Sequence, residues 1–251
     1  MKVLVCVKRV PMTGGRIVLT PDEQAIETRH LGFTISPHEE CGVEEAVRIV
    51  ERDGGEVVVL TLGPPVAEEQ LRDAMAIGAD RAVLLETDGG EWDAQATAGA
   101  ILAAIAADGD GYDLIVFGNE SADAGNYQVG IRVAYALGRP VATGLKGLGI
   151  EGGRLRCEQD TGSGRDVFDL PLPAVVTVKE GLNLPRYPSV PGRLRAKSKP
   201  LTRIVPERPM PRLEKVRLAL PPGQGKQAEV LGHGADAAPA VVEVLAGLGV
   251  A

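Results

Sequence analysis

Hydrophobic positions along this chain follow a strand rhythm and a helix rhythm in turn. Val3-Leu4-Val5-Cys6-Val7 is an unbroken, mostly β-branched apolar run of the kind a strand covered on both faces requires. A loop with Gly14 and Gly15 follows, and residues 17–19, Pro21-Asp22 and residues 25–28 read as a small hairpin excursion. Ser36-Pro37-His38-Glu39-Glu40 then offers a capping serine, a proline at the first helical position and acids in the first turn. Val43, Ala46, Val47 and Val50 recur behind it at helical spacing until Gly54-Gly55 ends the helix. From there the pattern predicts strands at 57–62, 82–85, 114–117 and from 140, with helices at 66–77, 93–107 and 128–137 between them. Such alternation predicts an α/β fold with a mostly parallel, doubly wound sheet. Ligands in these sheets lie beyond the carboxyl ends of the strands, so the loops after Val7, Leu62 and Phe117 are the places to search.

After residue 145 the rhythm changes. Residues 149–169 alternate short polar strands with Gly152-Gly153 and Thr161-Gly162-Ser163-Gly164, the pattern of an antiparallel hairpin, and residues 173–178 form one more buried strand. From Leu184 the chain turns proline-rich and basic: Arg186, Arg193, Arg195, Lys197, Lys199 and Arg203 occur with no acid among them. A short helix at 239–248 ends the chain, and residues 219–231 before it have little to bury by themselves. The expected organisation is an α/β domain over 1–181, a partner-recognition loop over 182–203 and a C-terminal arm over 204–251.

Composition narrows the function. The 251 residues carry a net charge of −7 and only 3% aromatics, so a nucleic-acid coat, which needs a positive surface and stacking rings, is disfavoured. No apolar run approaches the roughly 20 residues that span a bilayer, so no membrane insertion is expected. The opening MKVLVCVKRV becomes charged again too soon for a secretory signal, and a cytoplasmic protein is expected. Cys6, Cys41 and Cys157 form no CxxC, and His30, His38 and His233 form no metal-binding spacing, so neither a disulfide framework nor a metal centre is expected. No G-x-S-x-G elbow is present, and no catalytic residues are assigned.

The strongest local feature is Gly118-Asn119-Glu120-Ser121-Ala122-Asp123-Ala124-Gly125-Asn126-Tyr127-Gln128-Val129-Gly130, which leaves a buried strand and opens a helix. Small residues let a ligand approach the backbone, and Ser121, Asn126 and the helix amides suit a phosphate. Asp123 suits a ribose hydroxyl or a role in orienting the loop, and a plain capped turn accounts for the same residues. Gly63, after Leu62, would let a flat base lie on the main chain, and Lys8 and Arg9 would attract phosphate or stay as solvated strand-end charges. Cys6 and Cys41 read as small core residues, and His38 as a neighbour of the helix cap. The basic stretch reads as a proline-stiffened loop docking an acidic partner around Val190 or Leu194, or as a solvated linker.

Taken together, these segments resemble the β subunit of electron-transfer flavoproteins over essentially the whole chain. The resemblance is carried by Val7-Lys8-Arg9-Val10, Val43-Glu44-Glu45-Ala46-Val47, Ala76-Ile77-Gly78-Ala79-Asp80-Arg81-Ala82, the 118–130 loop and Leu172-Pro173-Ala174-Val175-Val176-Thr177. Its most specific part is Asn183-Leu184-Pro185-Arg186-Tyr187-Pro188-Ser189-Val190-Pro191 followed by Arg195-Ala196-Lys197-Ser198-Lys199. The resemblance implies a Rossmann-like adenine-nucleotide-binding fold and an electron carrier without catalysis of its own, in an obligate heterodimer with an α subunit that holds most of a redox-active FAD. It implies a structural AMP contacted by Cys6, Ser36, Pro37, His38, Glu39, Leu62, Gly118, Asn119, Glu120, Ser121, Ala122, Asp123, Ala124, Gly125, Asn126, Tyr127, Gln128 and Val129. It also implies docking of acyl-CoA-type or other flavin dehydrogenases at Tyr187, Val190, Arg193, Leu194, Arg195 and Lys197, with Val190 standing where the family usually has leucine. An electron-bifurcating subunit with FAD in the AMP pocket is the alternative, and Gln128-Val129-Gly130 leaves it open. A stand-alone adenine-nucleotide sensor or hydrolase would explain the loop but neither the basic segment nor the tail.

Overall fold

A computed structural model describes residues 1–15, 17–109, 111–221 and 229–250. The first strand, β1 (Lys2–Cys6), has four of its five residues buried, as its unbroken apolar run requires. Short strands β2 (Arg9–Pro11) and β3 (Phe33–Ile35) pair antiparallel and close off the excursion between them, within which Leu19 and Ile26 form a single antiparallel bridge. Helix α1 (Pro37–Asp53) starts with proline as the sequence predicts and ends on Gly54. Strand β4 (Glu56–Gly63), a short 3-10 turn at Pro65–Ala67 and helix α2 (Glu68–Ile77) follow. They lead into β5 (Arg81–Glu86), α3 (Ala94–Ala107), β6 (Leu114–Gly118) and α4 (Val129–Leu137).

The antiparallel part differs from its sequence reading. The strand opening near residue 140 does not stop at a loop but continues as one eleven-residue strand, β7 (Val141–Glu151). It pairs with β8 (Arg154–Asp160), which pairs with β9 (Arg165–Pro171), and β10 (Ala174–Val178) returns to the parallel core. A register shift between Leu145 and Gly147 lets one strand serve a parallel neighbour and then an antiparallel one.

The basic segment is not a loop throughout. It contains helix α5 (Val190–Ala196) and strand β11 (Leu201–Ile204), which pairs parallel with β5 at the sheet edge. Ser189, whose hydroxyl accepts the Gly192 amide at 3.1 Å, and Pro191 in the first turn are the local reasons for the helix. Helix α6 (Ala238–Gly247) ends the described chain after a 3-10 turn at Gly234–Ala237.

All told, nine strands form one sheet in the order β11-β5-β4-β1-β6-β10-β7-β8-β9, parallel from β11 to β7. Alternate residues supply two cores. Val3, Val5, Val57, Val59 and Val116 pack with α1 and α2 on one face, and Leu4, Val58, Leu60, Ile115 and Val175 pack with α3 and α4 on the other. The chain runs from β1 out to β4 and β5, then returns to β6 on the opposite side of β1. The crevice between β1 and β6 is therefore the topological switch point.

Beyond β11 the arm is tied along the carboxyl edge. The Arg212 amide donates to Asp93 Oδ2 at 3.0 Å, the Leu218 amide to the Glu23 carbonyl at 2.8 Å, and Arg208 reaches the Glu91 carbonyl and lies over the Trp92 ring. The other oxygen of Asp93 caps α3 by accepting the Ala96 amide at 2.7 Å. These amide bonds hold the Asp93 carboxyl below its ordinary value of 3.8, so its contribution is present at neutral pH and fades as pH falls through that lowered value. Asp93→Ala should cost about 1 kcal/mol at neutral pH. The deficit should narrow in acid, as urea denaturation at both pH values will register.

Candidate functional site

Loops at the carboxyl ends of β1, β6 and β10 surround a cleft of about 370 Å³. Its walls are Ser36, Pro37 and His38 at the start of α1, Glu120 to Gly125 after β6, and Glu180 after β10. Nine of the residues singled out in the sequence thus come together, from segments more than 80 positions apart. Glu180 escaped the sequence reading; its place just past the buried strand ending at Val178 was the available signal.

Ser36 occupies the cap position of α1, but its hydroxyl caps nothing. Fully buried, it accepts the Ala122 amide at 3.2 Å and so ties the start of α1 to the loop after β6. The loop closes on itself as well: the Ala124 amide donates to Asp123 Oδ1 at 2.7 Å and the Gly125 amide to the Ser121 carbonyl at 3.0 Å. The capped turn expected of these residues is therefore present in the loop. Gly125 and Tyr127 both have φ of +56°, a conformation glycine adopts freely and tyrosine rarely. The amides that follow open the first turn of α4, where helix N–H groups lack intrahelical partners.

Charge in the cleft is arranged in pairs. The Lys8 ammonium lies 2.7 Å from Asp123 Oδ1, so Asp123 orients the loop and Lys8 is a paired, partly exposed charge. Burial works to raise the Asp123 pKa, but the Lys8 charge and hydrogen bonds hold it below the ordinary value. Glu39 lies beneath, buried, accepting the Lys8 amide, and burial pushes its carboxyl up to about 8. His38 accepts the Glu180 amide on Nδ1 at 2.7 Å, which puts the ring proton on Nε2, 3.5 Å from Glu120 Oε1. The Arg9 guanidinium stacks 3.3 Å from the centroid of Phe33.

The remaining candidates support the cleft rather than line it. Cys6 is buried at the end of β1, and burial followed by the nearby Glu39 charge pushes its thiol well up, as befits a core residue and not a nucleophile. Leu62 and Gly118 are half-buried near the ends of β4 and β6. Asn119 accepts from the Thr177 hydroxyl at 2.9 Å, joining β6 to β10. Asn126, Tyr127, Gln128 and Val129 carry the chain from the cleft into α4. Among the described residues no group of histidines, cysteines and acids is arranged to hold a metal ion, and no helix is long and apolar enough to cross a membrane.

Away from the cleft, Tyr187, Val190, Arg193, Leu194, Arg195 and Lys197 are all exposed, Tyr187 to 95%. The expectation of six uncompensated cations is corrected here. Arg186 forms ion pairs with the buried Glu44 at 2.8 Å and with Glu51 at 2.7 Å, Arg203 bonds Glu68 and Glu86, and Arg193 faces Asp73 at 3.5 Å. Lys199 is turned inward onto main-chain carbonyls. The acids lie on α1, α2 and β5, far away in sequence, so a local charge reading missed them.

Residues 25–208 match the electron transfer flavoprotein domain family. The chain is similar to the electron transfer flavoprotein subunit beta of Bacillus subtilis, 34% identical over 98% of this chain and 97% of that one. The same-named protein of Syntrophomonas wolfei is 34% identical over 89% and 87%, and that of Mycobacterium bovis 36% over 80% and 77%. With a parallel sheet, a cleft at its switch point and a match of this extent, the chain belongs to the electron transfer flavoprotein β-subunit family.

Proposed function

We propose that this chain is the β subunit of a heterodimeric electron carrier, holding a structural AMP in the switch-point cleft and docking flavin dehydrogenases through residues 187–199. The observation that carries the reading is the cleft itself: Ser36 to His38 and Glu120 to Gly125, the residues that the family resemblance assigns to the nucleotide, form its walls. Small loop residues and the first amides of α4 suit a phosphate, while the neutralised Asp123 and protonated Glu39 reduce its repulsion. A volume of about 370 Å³ is at the small end of ligand sites, which favours a mononucleotide over FAD in this pocket. FAD held mainly by the α subunit supplies the redox chemistry when bound, and this chain contributes no catalytic group.

The α subunit also accounts for the C-terminal arm. Helix α6 buries none of its residues, although Val241, Val242, Val244 and Leu245 are apolar, and a ten-residue helix is marginal in water without a packing surface. Val205, Met210, Leu213 and Val216 are likewise exposed along the strap. Part of the coreless stretch expected at 219–231 lies outside the described residues. For docking, Val190 and Leu194 offer apolar anchors, and Arg195 and Lys197 are the cations left to steer an acidic surface. The cleft opens at the carboxyl end of the sheet, whereas α5 leads to the amino end of β11, so cofactor and donor use separate faces.

Three outcomes are expected of the α/β pair. AMP should raise its Tm, because a ligand of the native state stabilises only that state. Gly125→Val, forcing a β-branched residue into φ +56°, should abolish the rise, and a normal rise in the variant would move the nucleotide elsewhere.

Glu39 keeps its proton up to about pH 8 when folded but ionises near its ordinary 4.5 when unfolded. Stability should therefore decline as pH climbs through that window. Glu39→Gln, a permanent mimic of the neutral carboxyl, should flatten the decline, and urea denaturation across the same window measures it.

Val190→Ala with Arg195→Ala should slow flavin reduction by the dehydrogenase several-fold in stopped flow and weaken its salt dependence, since exposed charges screen over about 8–10 Å. Flavin content should stay unchanged. Wild-type rates at both low and high salt would make the segment a linker.

A further inference from the structure

Helix α5 is too short to stand alone. It has seven residues and buries only Gly192 and Ala196, while isolated helices of fewer than about 12–15 residues are marginal in water. Its exposed side chains, Val190 and Leu194 among them, gain nothing from the core. What holds it is polar and reciprocal. Arg72, on α2, donates from Nη1 to the carbonyls of Ala196 and Lys199, both at 2.8 Å, at the carboxyl end of α5. Lys199, just past α5, donates from Nζ to the carbonyls of Met75 at 3.0 Å, Gly78 at 3.4 Å and Ala79 at 2.6 Å, at the carboxyl end of α2.

Each helix thus receives, on its unsatisfied carbonyls, a cation from the other helix's segment. A helix carboxyl terminus carries partial negative charge and up to four orphan acceptors, so a cation there both satisfies and attracts. Between the two caps the backbones meet closely: a Cβ on Gly192 would come 2.5 Å from the Ala76 carbonyl oxygen, so only glycine permits the contact. Burial lowers the Lys199 pKa, as expected of an ammonium withdrawn from water.

We propose that Arg72 and Lys199 are positioning residues for dehydrogenase docking, a cross-cap that fixes α5 on α2 and so preorganises Val190 and Leu194 for the donor. The inference rests on the docking reading of residues 187–199. Preorganisation lowers the ordering cost of binding, so losing it raises the concentration needed for docking but leaves electron transfer within the docked complex alone.

The test uses the α/β heterodimer with a purified acyl-CoA dehydrogenase as the donor. Lys199→Met and Arg72→Met are each compared with wild type and with Val190→Ala, which alters the docking surface directly. Both cap variants should raise the half-saturating heterodimer concentration about tenfold, with unchanged maximal rate and flavin spectrum. Amide hydrogen exchange across 190–196 should speed up at least tenfold. In the Lys199→Met background, Val190→Ala should cost less than in wild type, because α5 no longer presents the side chain; a general loss of stability would leave the two effects additive. If Lys199→Met does not fold, Arg72→Met decides by the same exchange and saturation measurements. Wild-type half-saturation in the cap variants, with Val190→Ala impaired, overturns the cross-cap and spares the docking reading. Wild-type behaviour in all three variants overturns both.

Discussion

Burial of the central strands on both faces is the constraint from which the rest follows. Four of the five residues of β1, six of the eight of β4, four of the five of β6 and all five of β10 are buried, so these strands have no face left for a functional group. Polar chemistry is driven to the strand ends. The amino end is closed by ion pairs among Lys2, Glu56, Arg81 and Asp108, at 2.7 to 2.8 Å, that join three strands, β1, β4 and β5, to the carboxyl end of α3. The carboxyl end remains, and the reversal of winding between β1 and β6 opens a crevice there that no strand connection fills.

Within that crevice the chain spends side chains on holding a loop. Ser36 gives up the capping of its own helix to fix Ala122, Lys8 is paired with Asp123, and Glu39 takes the Lys8 amide in a site dry enough to keep it protonated at neutral pH. The nearby Cys6 thiol is pushed away from ionisation by burial and by the Glu39 charge.

The opposite side of the helical layer obeys different physics. Residues 183–186 are drawn onto α1 by Asn183, which donates to the Cys41 carbonyl at 3.0 Å, and by the Arg186 pairs with Glu44 and Glu51. Glu44 is almost fully buried and is shared between Arg186 and Arg48, whose Nε lies 2.6 Å from Oε1, so losing Arg186 would leave one oxygen of a buried carboxylate without its cation. Beyond it α5 stands on α2 by carbonyl capping. The exposed residues of this segment therefore sit on a helix tied to its neighbour by main-chain capping.

Sequence by itself determined the strand and helix alternation, the parallel sheet and the loops worth searching. Each follows from local periodicity or from the rule that ligands gather at strand carboxyl ends, and both are written in neighbouring residues. It determined the start of α1 at Pro37 but not the use of Ser36, whose partner lies 86 residues away. Only the tertiary structure decided that the basic segment is largely neutralised, because the acids that meet Arg186 and Arg203 come from α1, α2 and β5. It alone held α5 in place on α2 and made Lys199 a half-buried cap, and it alone set the protonation of Glu39. Charge pairing, capping across elements and desolvation all depend on which distant groups become neighbours, and that information exists only once the chain has folded.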